Sequence, residues 1–344
     1  MKTIPALVLA ALCITPALAD PHITYAPKEG PGAGKHIVFL SGDEEYRSEE
    51  GLPMLAKILS QRHGFKCTVL FSLAADGTID PNNGKSLSSP EQLDSADAIV
   101  ILVRFRQWPE AATKHFTDAM NRGVPIIGLR TATHAFSGYA KDSPNAVLNW
   151  NNKEGGWGRQ VLGETWVSHW GKHKEEATKG IIEPAAANDP ILNGITSVFG
   201  LTDVYEAHPP ADAKILLRGQ SLAGLKPESP PADYGKNGQG INKPMMPIAW
   251  TRTYNNSAGK SNAVLCTTMG DATDLESEGL RRLIVNGVYQ GLGLTVPAKA
   301  DVTYVDPYVP GFYSGNGFRK GLRPEDLALG KSMPGTPYPK PPGA

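Results

Sequence analysis

Four polar residues follow an apolar run in the first half of the chain and could bind or transform a small ligand. Arg130, Thr131, Thr133 and His134 come directly after residues 124–129. An arginine can hold a carboxylate or phosphate with two parallel N–H donors, or donate to sugar hydroxyls, and a histidine can act as a general base near neutral pH. We predict catalytic roles for Arg130 and His134 and ligand contacts for the two threonines. A loop-structuring arginine and a packed core histidine are the alternatives.

A second group of ligand-binding candidates follows the apolar run 97–103. Arg104, Arg106 and Trp108 come directly after it. An indole ring can stack on a pyranose while guanidinium groups donate to its oxygens, so this composition suits a sugar or anion site. A surface cation–π pair is the alternative. We predict that all three residues contact the ligand.

Polar residues also follow two other predicted strands. Gly42, Asp43 and Arg47 come after the run 35–40, and Asp271 lies in the loop that precedes the last predicted helix. The first three are predicted ligand contacts. Asp271 is a predicted proton-transfer residue, because a carboxylate in a loop at the edge of a sheet can reach a bound ligand.

Two histidines four residues apart could bind a metal ion. His169 and His173 have the spacing that metal sites use on a helix, although an intervening glycine weakens a helix here. With Glu206 or His208 as a third ligand, they predict a site for zinc or a similar divalent ion. Alternatively, the two histidines bind sugar directly or line a loop, and His169 transfers protons. Trp170 and Glu206 are predicted ligand contacts.

Strand-like and helix-like segments alternate along the chain. The apolar strand runs of the first half are residues 35–40, 65–71, 97–103 and 124–129, and the main helical patterns are residues 48–63, 109–120 and 274–291. This alternation predicts an α/β protein of the flavodoxin-like, doubly wound kind, with a mostly parallel sheet and helices on both faces. The carboxyl ends of parallel strands share one edge, so we expect the candidate residues to meet there.

The termini differ in composition from the centre. Residues 1–19 have one basic residue, a short apolar core and a small-x-small ending, which predicts a signal peptide cleaved after Ala19 and a secreted or periplasmic protein. Residues 20–34 are predicted to be an extended leader, and residues 35–295 the α/β domain. Residues 296–344 are rich in Pro and Gly and are predicted to form a tail without a core of its own, either docked on the domain or loose.

Charge and cysteine content narrow the expected partners. The 34 basic and 34 acidic residues balance, so we expect neither a nucleic acid nor a membrane surface as partner. Beyond the signal peptide, only Cys67 and Cys266 remain. They could pair in an oxidising compartment, but two separate buried thiols are the favoured interpretation, because strand cysteines are commonly inert core residues.

Several local patterns, taken together, resemble the trehalose-utilisation, or ThuA-like, family, whose members are similar in fold to class I glutamine amidotransferases. The matching segments are residues 126–136, 188–195, 201–206, 247–251 and 267–286. The resemblance implies an amidotransferase-like fold for the α/β domain. It also implies that the ligand is a small carbohydrate or a sugar derivative.

Two departures from the family pattern bear on activity. Amidotransferases of this fold have a nucleophilic cysteine, and ThuA-like proteins often a histidine, where this chain has Arg130. The family commonly has a histidine where this chain has Asp271. Since an arginine cannot serve as the nucleophile, glutaminase activity is not expected. We predict a hydrolase-type or other acid–base step on a carbohydrate, with His134, His169 and Asp271 as proton-transfer groups and Arg130 as the clamp. A non-catalytic sugar-binding or scaffold protein is the alternative.

Overall fold

A ten-stranded sheet forms the centre of the protein in a computed structural model that describes residues 20–344. The predicted signal peptide, residues 1–19, lies outside the described residues. The strands of the sheet are β1 (His22–Tyr25), β2 (His36–Gly42), β3 (Lys66–Phe71), β4 (Ala98–Val103), β5 (Ile126–Leu129), β6 (Thr178–Ile182), β7 (Val198–Gly200), β8 (Lys214–Ser221), β11 (Met246–Asn255) and β12 (Ser261–Thr267). A separate two-stranded hairpin contains β9 (Gly235–Lys236) and β10 (Gln239–Gly240).

The sheet has a parallel centre and antiparallel flanks. Its strand order is β1-β3-β2-β4-β5-β12-β11-β8-β6-β7, and the run from β3 to β12 is parallel. Strand β1 and the four strands beyond β12 pair antiparallel with their neighbours. The connection between β11 and β12 spans only residues 256–260, which is too short for the crossover that a parallel pair requires, so these two strands pair antiparallel. Because parallel and antiparallel strands share one sheet, the fold is mixed α/β.

Helices and sheet enclose two apolar clusters. The helices are α1 (Ser48–His63), α2 (Glu110–Asn121) and α3 (Glu278–Gly291). Along β2, Ile37 and Phe39 belong to the cluster that contains the apolar residues of α1 and α3, while Val38 and Leu40 belong to the cluster that contains those of α2. Successive side chains of a strand point to opposite faces, so the uninterrupted apolar runs reflect strands that are covered on both sides.

The two ends of the described chain pack on this framework. Within the predicted leader, β1 pairs with β3 at one edge of the sheet. Residues 296–344 are mostly irregular, but Tyr313 is fully buried, and Arg319 Nε donates to Glu50 Oε1 of α1 at 2.9 Å. The tail is therefore docked on the domain. Among the described residues, no helix is long and apolar enough to cross a membrane.

Cys67 and Cys266, the two cysteines among residues 20–344, are free and fully buried. Cys67 lies in β3 and Cys266 in β12, with three strands between them. Neighbouring strands are about 4.8 Å apart, so the two thiols are far beyond bonding distance. The prediction of two separate buried thiols is confirmed.

Candidate functional site

The site begins where strand β5 ends and the chain turns sharply. Arg130 directly follows Leu129 and has a left-handed backbone conformation, with φ of 39°. This conformation is costly for a residue with a Cβ atom and persists only where the surroundings enforce it. The Arg130 N–H donates to Met269 O at 3.1 Å, which ties the turn to the end of β12. The turn directs a fully buried guanidinium towards the carboxyl edge of the sheet.

The Arg130 guanidinium is held by protein atoms on several sides. Its Nη1 donates to the backbone oxygens of Asp203 and Thr268 at 2.9 and 2.8 Å, and its Nη2 lies 3.1 Å from Asp203 Oδ1. The Cζ atom lies 3.8 Å from the ring centroid of Tyr205 and 4.6 Å from that of Tyr46. Arg130 therefore positions Asp203 rather than presenting a free clamp to a ligand.

Two short segments bring Asp203 next to a pair of histidines. Residues 168–171 run antiparallel to residues 203–206, with an isolated bridge between His169 and Tyr205. The Trp170 N–H donates to the carbonyl of the residue after Asp203 at 2.8 Å. Backbone pairing alone thus fixes the position of the first histidine relative to the carboxylate.

Asp203 accepts hydrogen bonds from both histidines. His169 Nδ1 lies 2.8 Å from Oδ2, and His173 Nδ1 lies 3.0 Å from Oδ1. Burial acts to raise the pKa of Asp203, but the bonds from the histidines and the charge of Arg130 outweigh it and hold the pKa well below its usual range. Asp203 is therefore a carboxylate. His169 Nε2 has no hydrogen-bond partner within residues 20–344, and the side chain is 35% exposed.

The second histidine bridges two carboxylates. His173 Nε2 lies 3.2 Å from Glu45 Oε1, and Arg104 pairs with both Glu44 and Glu45. Burial favours neutral His173, but its bonds to Asp203 and Glu45 outweigh burial and raise its pKa. Burial also acts against the Glu45 carboxylate, yet the bond from His173 and the charge of Arg104 lower its pKa to about 2. His173 thus bridges Asp203 and Glu45, while His169 keeps a free nitrogen within residues 20–344.

Glu45, Arg130, His169, His173 and Asp203, with the aromatic rings around them, form a cluster around Asp203. His134 lies in an aromatic environment beside this cluster. Its Nδ1 is 3.1 Å from Thr133 Oγ1, and its ring centroid is 5.8 Å from that of Trp166. Burial, together with the charges of Arg104 and Arg130, lowers the pKa of His134 well below its usual value. The imidazole is therefore neutral at physiological pH and only 3% exposed.

The predicted contacts after β2 shape the turn that presents Glu45. Asp43 is fully buried and accepts a hydrogen bond from the Thr131 hydroxyl through Oδ2 and from the Glu45 N–H through Oδ1. The Gly42 carbonyl accepts from the Arg104 N–H at 3.1 Å. Asp43 therefore positions Glu45 through its side chain, and Gly42 positions Arg104 through its backbone carbonyl.

Other predicted contacts brace surrounding loops. Arg47 is fully buried, and its Nη2 donates to the carbonyls of Phe312 and Ser314 in the tail at 3.0 and 2.9 Å. Arg106 Nη1 donates to Pro81 O at 2.8 Å. These arginines fix chain segments around the site and do not face an open cleft.

Two predicted tryptophan contacts lie in the interior. Trp108 is 2% exposed and packs against Phe116 and Phe136, with ring centroids 5.8 and 5.1 Å away. Trp170 is 1% exposed, and its Nε1 donates to Ile241 O at 2.8 Å. Both side chains turn into the core, so neither ring face is available for stacking on a sugar. The sequence alone does not reveal this direction.

Asp271 lies in the loop after β12 but is fully buried. Its Oδ2 accepts from the Thr273 N–H at 2.7 Å. Burial, followed by the nearby charge of Asp274, raises the pKa of Asp271 well above its usual value. The structure therefore separates this carboxyl from solvent and does not bond it to the histidines.

The acidic partner of the histidines differs from the residues expected from sequence. His208 Nε2 lies 3.2 Å from Glu206 Oε1, and Glu206 also accepts from Ser168 Oγ at 2.7 Å. Instead, His169, His173 and Asp203 each offer one possible ligand atom, and these atoms all lie within 4.8 Å of one another. A divalent cation bound between these atoms would compete with the hydrogen bonds that the imidazoles donate to Asp203.

The electrostatics of Asp203 favour hydrogen bonding over metal binding. Its carboxylate already accepts hydrogen bonds from two imidazoles and from the Arg130 guanidinium. The permanent positive charge of Arg130 would repel a cation bound there. The donor set therefore fits an acid–base cluster better than a cation site.

Sequence reasoning did not single out several members of the cluster. They are Glu45, Tyr46, Trp166, Asp203, Tyr205 and Tyr313. Asp203 and Tyr205 lie within the segment 201–206 that carries the family resemblance, so proximity to that motif could have indicated them. Tyr313 comes from the tail, and no local pattern connects it to the site.

Comparison with known families matches residues 36–289 to the ThuA family, described as trehalose utilisation. Similar solved structures include a ThuA-like protein from Parabacteroides merdae, with 16% identity, a TM-score of 0.48 and a match that covers 82% of this chain and 95% of that chain. They also include a ThuA-like protein from Bacteroides uniformis, with 15% identity, a TM-score of 0.45 and coverage of 83% and 98%. PurLQS from Thermotoga maritima has 10% identity, a TM-score of 0.38 and coverage of 74% and 98%. A search of curated proteins found no significant match.

The family match and the fold agree with the resemblance noted in the sequence. The match extends from the first residue of β2 to within two residues of the end of α3. It thus includes the whole parallel centre of the sheet and every residue of the cluster around Asp203 except Tyr313. Over most of its length, the chain belongs to the ThuA trehalose-utilisation family.

Proposed function

We propose that the protein is an acid–base enzyme that acts on a carbohydrate or a sugar derivative, with His169 and Asp203 as its working pair. The observation that carries this proposal is the 2.8 Å contact between His169 Nδ1 and Asp203 Oδ2, combined with an Nε2 atom that has no partner within residues 20–344, on a side chain that is 35% exposed. A carboxylate bound to Nδ1–H selects the tautomer in which Nε2 can accept a proton. His169 is then the general base, and Asp203 orients it.

His169 suits proton transfer better than the other three candidates, which are Asp271, His134 and His173. Asp271 is enclosed and bonded to its own loop. His134 is neutral and also able to accept a proton, but it is 3% exposed. His173 is engaged by carboxylates at both ring nitrogens. Only His169 of these four combines an imidazole oriented by a carboxylate with a ring nitrogen that lacks a partner within residues 20–344 and a partly exposed side chain.

The carbohydrate class rests on family membership and on the aromatic surroundings of the pair. The family is described as trehalose utilisation. The ring of Trp166 lies 5.9 Å from that of His169 and is partly exposed. Aromatic faces beside polar groups suit the C–H and O–H faces of a pyranose. In the proposed step, His169 Nε2 takes a proton from water or from a sugar hydroxyl and returns it to the leaving oxygen.

A non-catalytic sugar-binding protein is the second candidate, and one observation favours it. The turn that carries a nucleophilic cysteine in the amidotransferases that this family resembles has Arg130 here, and that side chain is fully buried and hydrogen-bonded. This chain therefore lacks that nucleophile at the turn. Binding without turnover by both the wild type and His169 variants would favour this candidate.

We also propose that the chain is exported, with cleavage after Ala19. The composition of residues 1–19 supports this proposal. Expression in a bacterial host, followed by amino-terminal sequencing of the exported protein, would test it. A mature chain that begins at Asp20 is expected, and retention of Met1 in a cytoplasmic product would contradict the proposal.

A turnover screen with matched histidine variants tests the enzyme proposal. Sugars, glycosides and keto-sugars are incubated with the wild type, His169→Gln and His115→Gln, and products are followed by NMR. His115 is a suitable control because it also pairs with an aspartate, Asp94, at 2.7 Å and is 33% exposed. We expect turnover by the wild type and the control and a loss of about 100-fold or more in His169→Gln. Equal turnover by all three proteins would exclude the proposed role of His169.

A further inference from the structure

One segment of the C-terminal tail packs against the cluster around Asp203. The tail, residues 296–344, lies beyond the family match, which ends at residue 289. Phe312 and Tyr313 are 4% and 0% exposed, although they belong to no strand or helix. An irregular segment that is buried this completely must satisfy its backbone groups through tertiary contacts. Its hydrogen bonds therefore identify the parts of the domain to which it is attached.

Two adjacent tail residues bond to the two segments that carry the carboxylates of the histidine bridge. The Tyr313 hydroxyl donates to Leu201 O at 3.2 Å, in the segment that also carries Asp203. The Ser314 N–H donates to Glu45 O at 3.0 Å. Both carboxylates bond to the same imidazole, so the tail connects the two segments whose separation sets both of those bonds.

The ring of Tyr313 packs between the imidazole and the turn that carries Glu45. Its centroid lies 5.3 Å from that of His173 and 5.4 Å from that of Tyr46, the residue after Glu45. Tyr46 is fully buried, and its ring centroid lies 4.6 Å from Arg130 Cζ. Because protein interiors are close-packed, the imidazole of His173 cannot turn towards the tail while the Tyr313 ring is in place.

Two buried charged residues fix the tail segment independently of the histidine bridge. Arg47 Nη2 donates to the carbonyls of the residues on both sides of Tyr313, at 3.0 and 2.9 Å. Gly311 N–H donates to Glu50 Oε2 at 2.7 Å. Hydrogen bonds to charged groups are stronger than neutral ones. The position of the Tyr313 ring is thus set before any contact with the imidazole is counted.

We propose that Tyr313 is a positioning residue for His173, and that tail residues 311–314 complete the site that the family-matched segment forms. The ring keeps the two carboxylate segments at the separation at which one imidazole can bond to both. Asp203 in turn orients His169, so the tail influences the general base through the bridge. The effect on turnover rests on the proposed function, whereas the placement of His173 does not.

Nitrogen–proton NMR spectra of the histidine rings test this role without a substrate. Ring N–H groups that bond to carboxylates exchange more slowly with water than free ones and give visible signals. Because the bonds to two carboxylates outweigh burial and raise the pKa of His173, the protonated ring is the major form at about pH 6. The wild type should then show two N–H signals that are missing from His173→Gln. We expect Tyr313→Leu, which retains apolar volume without a ring, to lose both signals and Tyr313→Phe to keep both.

Leu327→Ala is the matched control within the tail. Leu327 is 2% exposed and belongs to the apolar cluster that contains the residues of α1 and α3. Tyr313 belongs instead to a small cluster with Tyr46 and Leu201. The control should lower the melting temperature, as Tyr313→Leu does, but leave both His173 signals in place. A purely structural role of the tail would make the two variants alike.

Three results would overturn the positioning role. They are retention of both His173 signals in Tyr313→Leu, absence of these signals from the wild type, and their loss from Leu327→Ala. If Tyr313→Leu does not fold, a pair of variants at Ser314 decides, since Ser314→Pro removes the N–H that bonds to the Glu45 carbonyl and Ser314→Ala keeps it. Signals that persist in Ser314→Pro would then overturn the proposal, and signals lost only from Ser314→Pro would support it.

Kinetics separate this role from the proposed function. With a sugar that the wild type converts, we expect Tyr313→Leu to lower kcat by about 10-fold to 100-fold and to leave KM within about twofold. An unchanged kcat in a variant that has lost the His173 signals would overturn the influence of the tail on the general base. Absence of turnover in the wild type would contradict the proposed function alone, because the NMR signals decide the positioning role in either case.

Discussion

Arg130 and Asp203 form an ion pair with a nitrogen–oxygen distance of 3.1 Å, and neither side chain is exposed to solvent. Arg130 also donates to the backbone oxygen of Asp203, so one residue fixes both the main chain and the carboxylate of the other. A buried charge that is paired and hydrogen-bonded is tolerated, whereas the same charge left alone is not. The orientation of Asp203, and through it that of His169, therefore depends on Arg130.

Loss of Arg130 should destabilise the fold as well as the site. We expect Arg130→Met to lower the free energy of unfolding by about 3–5 kcal/mol, because Asp203 would remain buried without its partner. Urea denaturation measures the effect. The double variant with Asp203→Asn should lose less than the sum of the single variants, since both act on one pair. Wild-type stability with abolished ligand binding would instead make Arg130 the ligand clamp expected from sequence.

Stability should depend on pH through His173. Its pKa is raised in the folded state above the ordinary value of 6.5, so the protonated imidazole stabilises the fold fully below that value. This contribution is lost as the pH rises through the folded-state pKa. We expect the difference in unfolding free energy between wild type and His173→Gln to be largest below pH 6.5 and to shrink as the pH rises above that value. A difference that grows with pH would mean that His173 is buried neutral.

Glu45 should give the opposite dependence at acid pH. Its folded-state pKa of about 2 lies below the ordinary value of 4.5, so its stabilising effect is present above 4.5 and is lost as the pH falls towards 2. We expect Glu45→Gln to reduce the acid sensitivity of unfolding between those values. Because Arg104 also pairs with Glu44, Glu44→Gln is the comparison variant, and an identical effect of the two changes would contradict a specific Glu45–His173 bond.

The docked tail should contribute measurably to stability. Arg319 and Glu50 are 5% and 1% exposed and lie 2.9 Å apart, so Arg319→Ala should cost about 3 kcal/mol and make the tail sensitive to limited proteolysis. The matched control is Lys340→Ala, because the pair of Lys340 with Glu276 is 34% and 40% exposed. We expect that change to cost less than about 1 kcal/mol. Equal effects would show that the tail pairs contribute only at the surface.

Cys67 and Cys266 should not respond to redox conditions. Both thiols are fully buried, and burial raises the pKa of each well above its usual value. We expect a melting temperature that is unchanged by reductant and no reaction with a thiol reagent until the chain unfolds. One thiol titrated rapidly in the native protein would contradict this placement.

Much of the parallel half of the fold could be predicted from the sequence. Helix α1 has the bounds expected from its apolar spacing, and β4 and β5 match uninterrupted apolar runs within two residues. These elements are specified by local periodicity and by burial on both faces. The predicted helix 274–291 begins later, because residues Asp274–Glu276 form a separate turn before Ser277 caps α3.

The site was less predictable because its members meet through long-range pairing. The placement of candidates at strand ends indicated the correct edge of the sheet, but the direction of each side chain depends on tertiary contacts. Trp108 turns into the core, Arg47 binds the tail, and Asp203 becomes the partner of His169 through the pairing of residues 168–171 with 203–206. The position of Tyr313 beside His173 results from docking of a segment with no strand or helix pattern.

Chemical rescue of a His169 variant is the most direct test of proton transfer by this residue. With any sugar that the wild type converts, we expect His169→Ala to lose about 100-fold to 10,000-fold in kcat and to regain part of it when imidazole is added. His115→Ala should retain full activity and show no response to imidazole. Undiminished turnover by His169→Ala, or a loss that imidazole leaves unchanged while the variant binds the sugar normally, would contradict the assignment of His169 as the general base.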